Sequence, residues 1–143
     1  MTDSGAQYAG KVSPFSLLIA DDSSAIRAVL RHLVEGYDGQ WHVCGEALDG
    51  REAIEKSVNL RPDAILLDLS IPIVSGLEAA KILQRECPTS ELILMSAQEP
   101  AVLERIAASA NVCYSISKAL LAEQLLPLMQ GISLRKRSSR SAA

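Results

Sequence analysis

Unbroken apolar runs recur along the chain at about 16–20, 41–47, 64–67, 91–95 and 112–117, and their length suits strands rather than helices. Between them lie stretches with helical spacing, near 24–35, 51–59, 76–86, 100–108 and 119–131. Ile26, Val29, Leu30 and Leu33 recur at the interval of one buried helix face. Ser23 or Asp22 caps that helix in front, and Gly36 ends it. Asp49-Gly50 and Arg61-Pro62-Asp63 supply the turns around the second helix. Apolar runs that do not alternate with polar residues belong to a sheet covered on both faces, and strict strand–helix alternation makes that sheet parallel. The expectation is an α/β fold of five parallel strands, doubly wound as (βα)5, in one domain at 15–132. Residues 1–14 read as a flexible leader, and 133–143 as a basic flexible tail or linker stub.

Four of these runs end on a polar residue. Leu17-Leu18-Ile19-Ala20 leads to Asp21-Asp22, Ile65-Leu66-Leu67 to Asp68, Leu92-Ile93-Leu94-Met95 to Ser96, and Ser115-Ile116-Ser117 to Lys118. In a parallel sheet the ligand site lies beyond the carboxyl ends of the strands, at the switch point of strand order. All four chemistries therefore converge on one edge. Three carboxylates in one small volume repel each other unless a cation sits among them. Oxygen donors of this kind suit Mg²⁺, which takes one or two carboxylates together with water and phosphate oxygens. An aspartate can also accept a phosphoryl group as an acyl phosphate, and Asp68, alone on the central strand, is the candidate nucleophile. Lys118 would pair with phosphoryl oxygens as a point charge, and Ser96 would donate its hydroxyl.

Composition narrows the class. The chain has 143 residues, 48% hydrophobic and 22% charged, as expected for one globular domain and not for a disordered one. No run approaches the length of a membrane span, and the polar start lacks the apolar core of a signal peptide, so a cytoplasmic location is expected. Arg135, Lys136, Arg137 and Arg140 place four positive charges in the last nine residues, leaving residues 1–134 with ten basic against seventeen acidic side chains, a net −7. An acidic body argues against direct nucleic-acid binding. Cys44, Cys87 and Cys113 are odd in number and widely spaced. They are expected to be buried free thiols, two of them in strands, rather than disulfides or zinc ligands.

Over residues 15–132 the sequence resembles the receiver domains of bacterial two-component response regulators. Ala20-Asp21-Asp22-Ser23-Ser24 is similar to the family's acidic metal-binding pair, and Leu66-Leu67-Asp68-Leu69-Ser70-Ile71-Pro72 to its phosphoacceptor strand and proline turn. Gly76 matches the glycine that opens the third helix, Ser96-Ala97 the switch hydroxyl with its small neighbour, and Lys118 the essential lysine. The resemblance implies a flavodoxin-like fold and Mg²⁺ held by Asp22, Asp68 and the Ser70 backbone carbonyl, with Asp21 acting largely through water. It implies phosphoryl transfer to Asp68 from a histidine kinase or phosphotransfer protein, with Ser96 and Lys118 engaging the phosphoryl oxygens. Ser70 and Gln98 would then bear on its lifetime by positioning water. The output would be a change in partner binding or homodimerisation through the fourth helix, fifth strand and fifth helix, with no enzymatic turnover by this domain. The receiver part of a transcriptional regulator is one such context.

Three positions depart from the family pattern. The position three before the lysine, usually aromatic, is Ser115, and Tyr114 stands one step earlier; a one-residue offset puts a side chain on the other sheet face. Ala119 follows Lys118 where relatives have proline, so a trans peptide is expected. Pro127 falls inside the last helix, which is expected to kink there or end early. Leu120, Leu121, Leu125, Leu126, Leu128 and Met129 exceed what one core face needs, and about half of that surplus is left for a dimer or partner surface. Two other readings follow from the same residues. One is a receiver-like interaction module that works without phosphorylation, motivated by the displaced tyrosine. The other is a small Mg²⁺-dependent phosphohydrolase, disfavoured because no second carboxylate stands two residues after Asp68.

Overall fold

The computed structural model describes residues 15–36 and 39–142, with side chains to 139. Five strands form one parallel sheet: β1 (Phe15–Ala20), β2 (Trp41–Ala47), β3 (Ala64–Asp68), β4 (Glu91–Ser96) and β5 (Tyr114–Ser117). Their order is β2-β1-β3-β4-β5, so the strand order reverses between β1 and β3. Helices α1 (Ser24–Glu35), α2 (Gly50–Leu60), α3 (Gly76–Glu86), α4 (Pro100–Ser109) and α5 (Leu121–Ala142) make the crossovers and cover. A short 3₁₀ turn, Lys118–Leu120, precedes α5. The fold is the doubly wound, flavodoxin-like arrangement expected from the sequence. No helix among the described residues is long and apolar enough to cross a membrane.

Strand side chains alternate between two cores, one on each face of the sheet. Leu18, Ala20, Ile65, Leu67 and Leu94 pack with Ala53 of α2, Ala79, Ala80 and Leu83 of α3, and Leu103 of α4. Leu17, Ile19, Leu66, Ile93 and Met95 pack with Leu30 and Val34 of α1 and Leu125, Met129 and Ile132 of α5. The central strands are buried on both faces, which is why they read as unbroken apolar runs.

Helix starts follow local capping chemistry. Ser23 Oγ accepts the Ile26 N–H at 3.2 Å, Asp49 Oδ1 accepts the Glu52 N–H at 2.8 Å, and Ser75 Oγ accepts the Glu78 N–H at 3.2 Å. Two helices stop on left-handed residues instead of glycine, Arg61 (φ 49°) after α2 and Asn111 (φ 59°) after α4.

Several expectations need correction. In α1 the buried residues are Leu30, as expected, and Val34, whereas Val29 is 51% exposed, because the face that meets the sheet is centred on Leu30. The last strand begins at Tyr114, not 112: Asn111 turns the chain left-handed and the Val112 N–H bonds back to the Ala107 carbonyl, at 2.8 Å. Cys87 is buried and Cys44 half-buried, but Cys113 is exposed in the turn before β5. The last helix does not end near 131. It runs through Pro127 to Ala142, so residues 133–142 are helical. Pro127 is exposed, and the carbonyl its ring leaves without a donor is four residues back, on the solvent side where water can serve it. The Lys118–Ala119 peptide is trans, as expected. The reading of residues 1–14 as a leader falls outside the described residues.

Candidate functional site: an acidic pocket at the strand ends

Asp21 is the first residue past β1, Asp68 the last of β3, Ser96 the last of β4, and Lys118 the first past β5. The sheet thus brings its C-terminal edge to one place. Asp21, Asp22 and Asp68 each present a carboxylate oxygen, all within 4.8 Å of one another. Asp21 (0% exposed) and Asp68 (1%) are buried, while Asp22 faces solvent. Lys118 reaches into the cluster: its Nζ lies 2.9 Å from Asp21 Oδ2 and 3.3 Å from Asp68 Oδ2.

Each position has a local cause. The Asp21 N–H donates to the Ala47 carbonyl at 3.0 Å, which continues the β1–β2 ladder by one step. Its Oδ1 accepts the Ser23 N–H at 2.8 Å, closing a turn into the cap of α1. Asp68 is held from behind by α3. A Cβ added to Gly76 would come within 2.2 Å of the Asp68 carbonyl oxygen, so this approach admits only glycine. Ser70 sits over Asp68, with its N–H and its hydroxyl each 3.4 Å from Oδ1. The Ser96 hydroxyl accepts the Gln98 N–H at 3.1 Å, which turns it toward its own loop. A groove lined by Leu69, Ser70, Ser96, Ala97, Gln98 and Ile106 opens along this side.

The charges oppose burial. Burial raises the pKa of the Asp68 carboxyl, the nearby Asp21 charge adds to the rise, and Lys118 offsets only part of it. Burial alone would lower the Lys118 pKa, but its hydrogen bonds and charge pairing with Asp21 and Asp68 outweigh that and raise it. One ammonium among three carboxylates leaves net negative charge in a poorly hydrated pocket. The donor set is all oxygen and partly open to solvent through Asp22. It fits a hard divalent cation that keeps some of its waters.

Comparison with known proteins agrees with this geometry. Residues 17–130 match the family model described as the response regulator receiver domain. The chain is a receiver domain of the response-regulator family. The receiver is 37% identical over 99 residues to the chemotaxis protein CheY of Thermotoga maritima, an alignment covering 66% of this chain and 79% of CheY. It is 35% identical over 95 residues to the protein-glutamate methylesterase/protein-glutamine glutaminase of the same organism, where 66% of this chain aligns to 27% of that protein. The receiver therefore spans only about a quarter of that methylesterase. The crystal structure of the response regulator domain of Thermotoga maritima CheB superposes with a TM-score of 0.75 at 28% identity, covering 83% of this chain and 96% of that one.

Two features were not evident from the sequence, and the first is the neighbour that Tyr114 meets on the sheet face its offset predicts. Tyr114 faces the core beneath α5, where the Arg135 guanidinium lies 5.1 Å from its ring centre. Ser115 pairs with Leu94 and so shares the sheet face of Ser96. The second feature is Arg27, whose Nη1 donates to the Asp21 backbone carbonyl at 2.7 Å. An arginine inside an amphipathic helix gives no sign in sequence that it turns back to a strand end.

Proposed function

We propose that this receiver is a phosphorylation-dependent switch that accepts a phosphoryl group on Asp68 from a histidine kinase or phosphotransfer protein in the cytoplasm. The observation carrying this reading is the ion-pair geometry: one ammonium, on Lys118, paired with the buried carboxylates Asp21 and Asp68 at the end of the central strands. An Asp68 carboxylate oxygen attacks phosphorus, the bond from phosphorus to the donor's histidine nitrogen breaks, and the donor leaves with that electron pair. Asp22, Asp68 and the Ser70 carbonyl would hold Mg²⁺, with Asp21 acting through water. Bound there, the cation supplies neutralisation of the carboxylates and of the incoming phosphoryl oxygens. Lys118 moves from carboxylate to phosphoryl oxygen, and Ser96 gives up its bond with the Gln98 N–H to donate to another. The domain carries out this transfer on itself and has no external turnover.

The new charge then biases the loop after Ser96 and, through it, α4 and β5. Output is a change in partner binding or self-association on the surface of α4, β5 and α5. A second reading, an interaction module indifferent to phosphorylation, is favoured by Tyr114, which packs under α5 instead of beside Ser96. Beryllofluoride with Mg²⁺ separates the two. The switch reading expects amide resonances of 96–117 to shift in the wild type and not in Asp68→Asn. Identical spectra in both would favour the second reading. Intrinsic fluorescence is a poorer probe, because Trp41 packs at a tilt against Phe15 at the opposite edge of the sheet.

A further inference from the structure

Arg27 has no part in the chemistry above, yet its guanidinium is committed on two sides. Nη1 donates to the Asp21 carbonyl at 2.7 Å, and Nε donates to Glu46 Oε1 at 2.8 Å, with the side chain only 13% exposed. That carbonyl lies one residue beyond the end of β1, where the sheet ladder has run out and an acceptor needs another donor. Glu46 is itself gripped: Arg31 meets its Oε2 through Nε at 2.9 Å and Nη2 at 2.8 Å, and Lys56 donates to its backbone carbonyl at 2.5 Å. The fork of Arg27 is therefore braced against β2 while its free edge holds the peptide that joins Asp21 to Asp22.

The consequence falls on Asp22. Asp21 is fixed by its N–H to Ala47, by its Oδ1 to the Ser23 N–H and by its Oδ2 to Lys118. Asp22 is exposed, so the direction of its carboxylate is inherited from the backbone plane on its N-terminal side. We propose that Arg27 is a positioning residue for the divalent cation: by pinning the Asp21–Asp22 peptide it aims the Asp22 carboxylate at the oxygens of Asp21 and Asp68. The inference rests on the metal-dependent reading above. A lysine could keep the charge but not hold both acceptors in a fixed fork.

Calorimetric titration of Mg²⁺ into the unphosphorylated full chain tests this. Arg27→Lys is expected to remain folded and bind Mg²⁺ about tenfold more weakly, the usual scale for losing a group that orients a ligand. Its Asp22 amide resonance should already be shifted without metal. Arg27→Met should lose at least as much affinity, and if it does not fold, Arg27→Lys carries the test. Arg51→Gln breaks an exposed ion pair to Glu55 on α2 without touching the Asp21 carbonyl or Glu46, and should keep the affinity within about twofold. Unchanged affinity in Arg27→Lys would overturn the proposal, as would an equal loss in Arg51→Gln. Absence of Mg²⁺ binding by the wild-type chain would instead overturn the metal reading on which it rests.

Discussion

Asp68 is held in a state that folding alone does not favour. Its pKa is raised by burial and by Asp21, so the folded form binds its proton more tightly than the unfolded one. The carboxylate therefore weakens the fold above that raised pKa, and the penalty is relieved as pH falls toward the ordinary value of 3.8. Asp68→Asn, measured at pH 7 without divalent cations, should be more stable by on the order of 1 kcal/mol, a rise of about 3 °C in Tm; a lower Tm would contradict this. Lys118 works in the opposite sense. Its raised pKa means that its contribution is complete at neutral pH and lost as pH climbs past the ordinary 10.5 through the folded value. Lys118→Met should cost about 2 kcal/mol at pH 7 by leaving Asp21 and Asp68 unpaired. Denaturant melts should show that gap closing in alkali, and a constant gap would remove Lys118's charge from the account. Gly76→Ala should be costlier still, about 3 kcal/mol or more, because its Cβ meets backbone atoms of Asp68 and Leu69 that cannot swing aside.

At the scale of elements, α5 was the least legible part of the chain. Periodicity and Pro127 both suggested an end near 131, and the basic run looked like a solvated tail. Instead, three of those cations have partners on the edge of the sheet away from the acidic pocket. Arg135 lies over Tyr114 and 3.4 Å from Glu91, Lys136 donates to the Thr89 carbonyl at 2.9 Å, and Arg137 lies over Phe15. Those partners are far away in sequence, so nothing within the run itself announced them. Tyr114 was half legible: the one-residue offset indicated the wrong sheet face, and only the structure supplied Arg135 as its neighbour. Arg135→Ala with Lys136→Ala should raise amide exchange over 133–142 while leaving Mg²⁺ affinity unaltered. Exchange as slow as in the wild type would mean that packing of Ile132 and Ser133, both buried, holds the helix without the cations.

For the whole molecule, most of the fold could be read from the sequence because its strands are buried on both faces and its turns carry strong capping residues. Strand order could not be read from periodicity; the family resemblance implied a flavodoxin-like fold, and the structure supplies the order β2-β1-β3-β4-β5. The acidic pocket was legible for a simple reason: in a parallel sheet every strand delivers its last residue to the same edge, so linear positions 21, 68, 96 and 118 become neighbours. What stayed hidden was the support, such as Arg27 on the Asp21 carbonyl and the hydroxyl of Ser96 turned to Gln98. The central claim is that Asp68 takes the phosphoryl group. Incubating the chain with acetyl phosphate and Mg²⁺ and weighing the intact protein tests it most directly. One added phosphoryl mass in the wild type, absent in Asp68→Asn and absent after chelation, is the predicted result. A wild type that stays unmodified, or an Asp68→Asn protein labelled to the same extent, would contradict it.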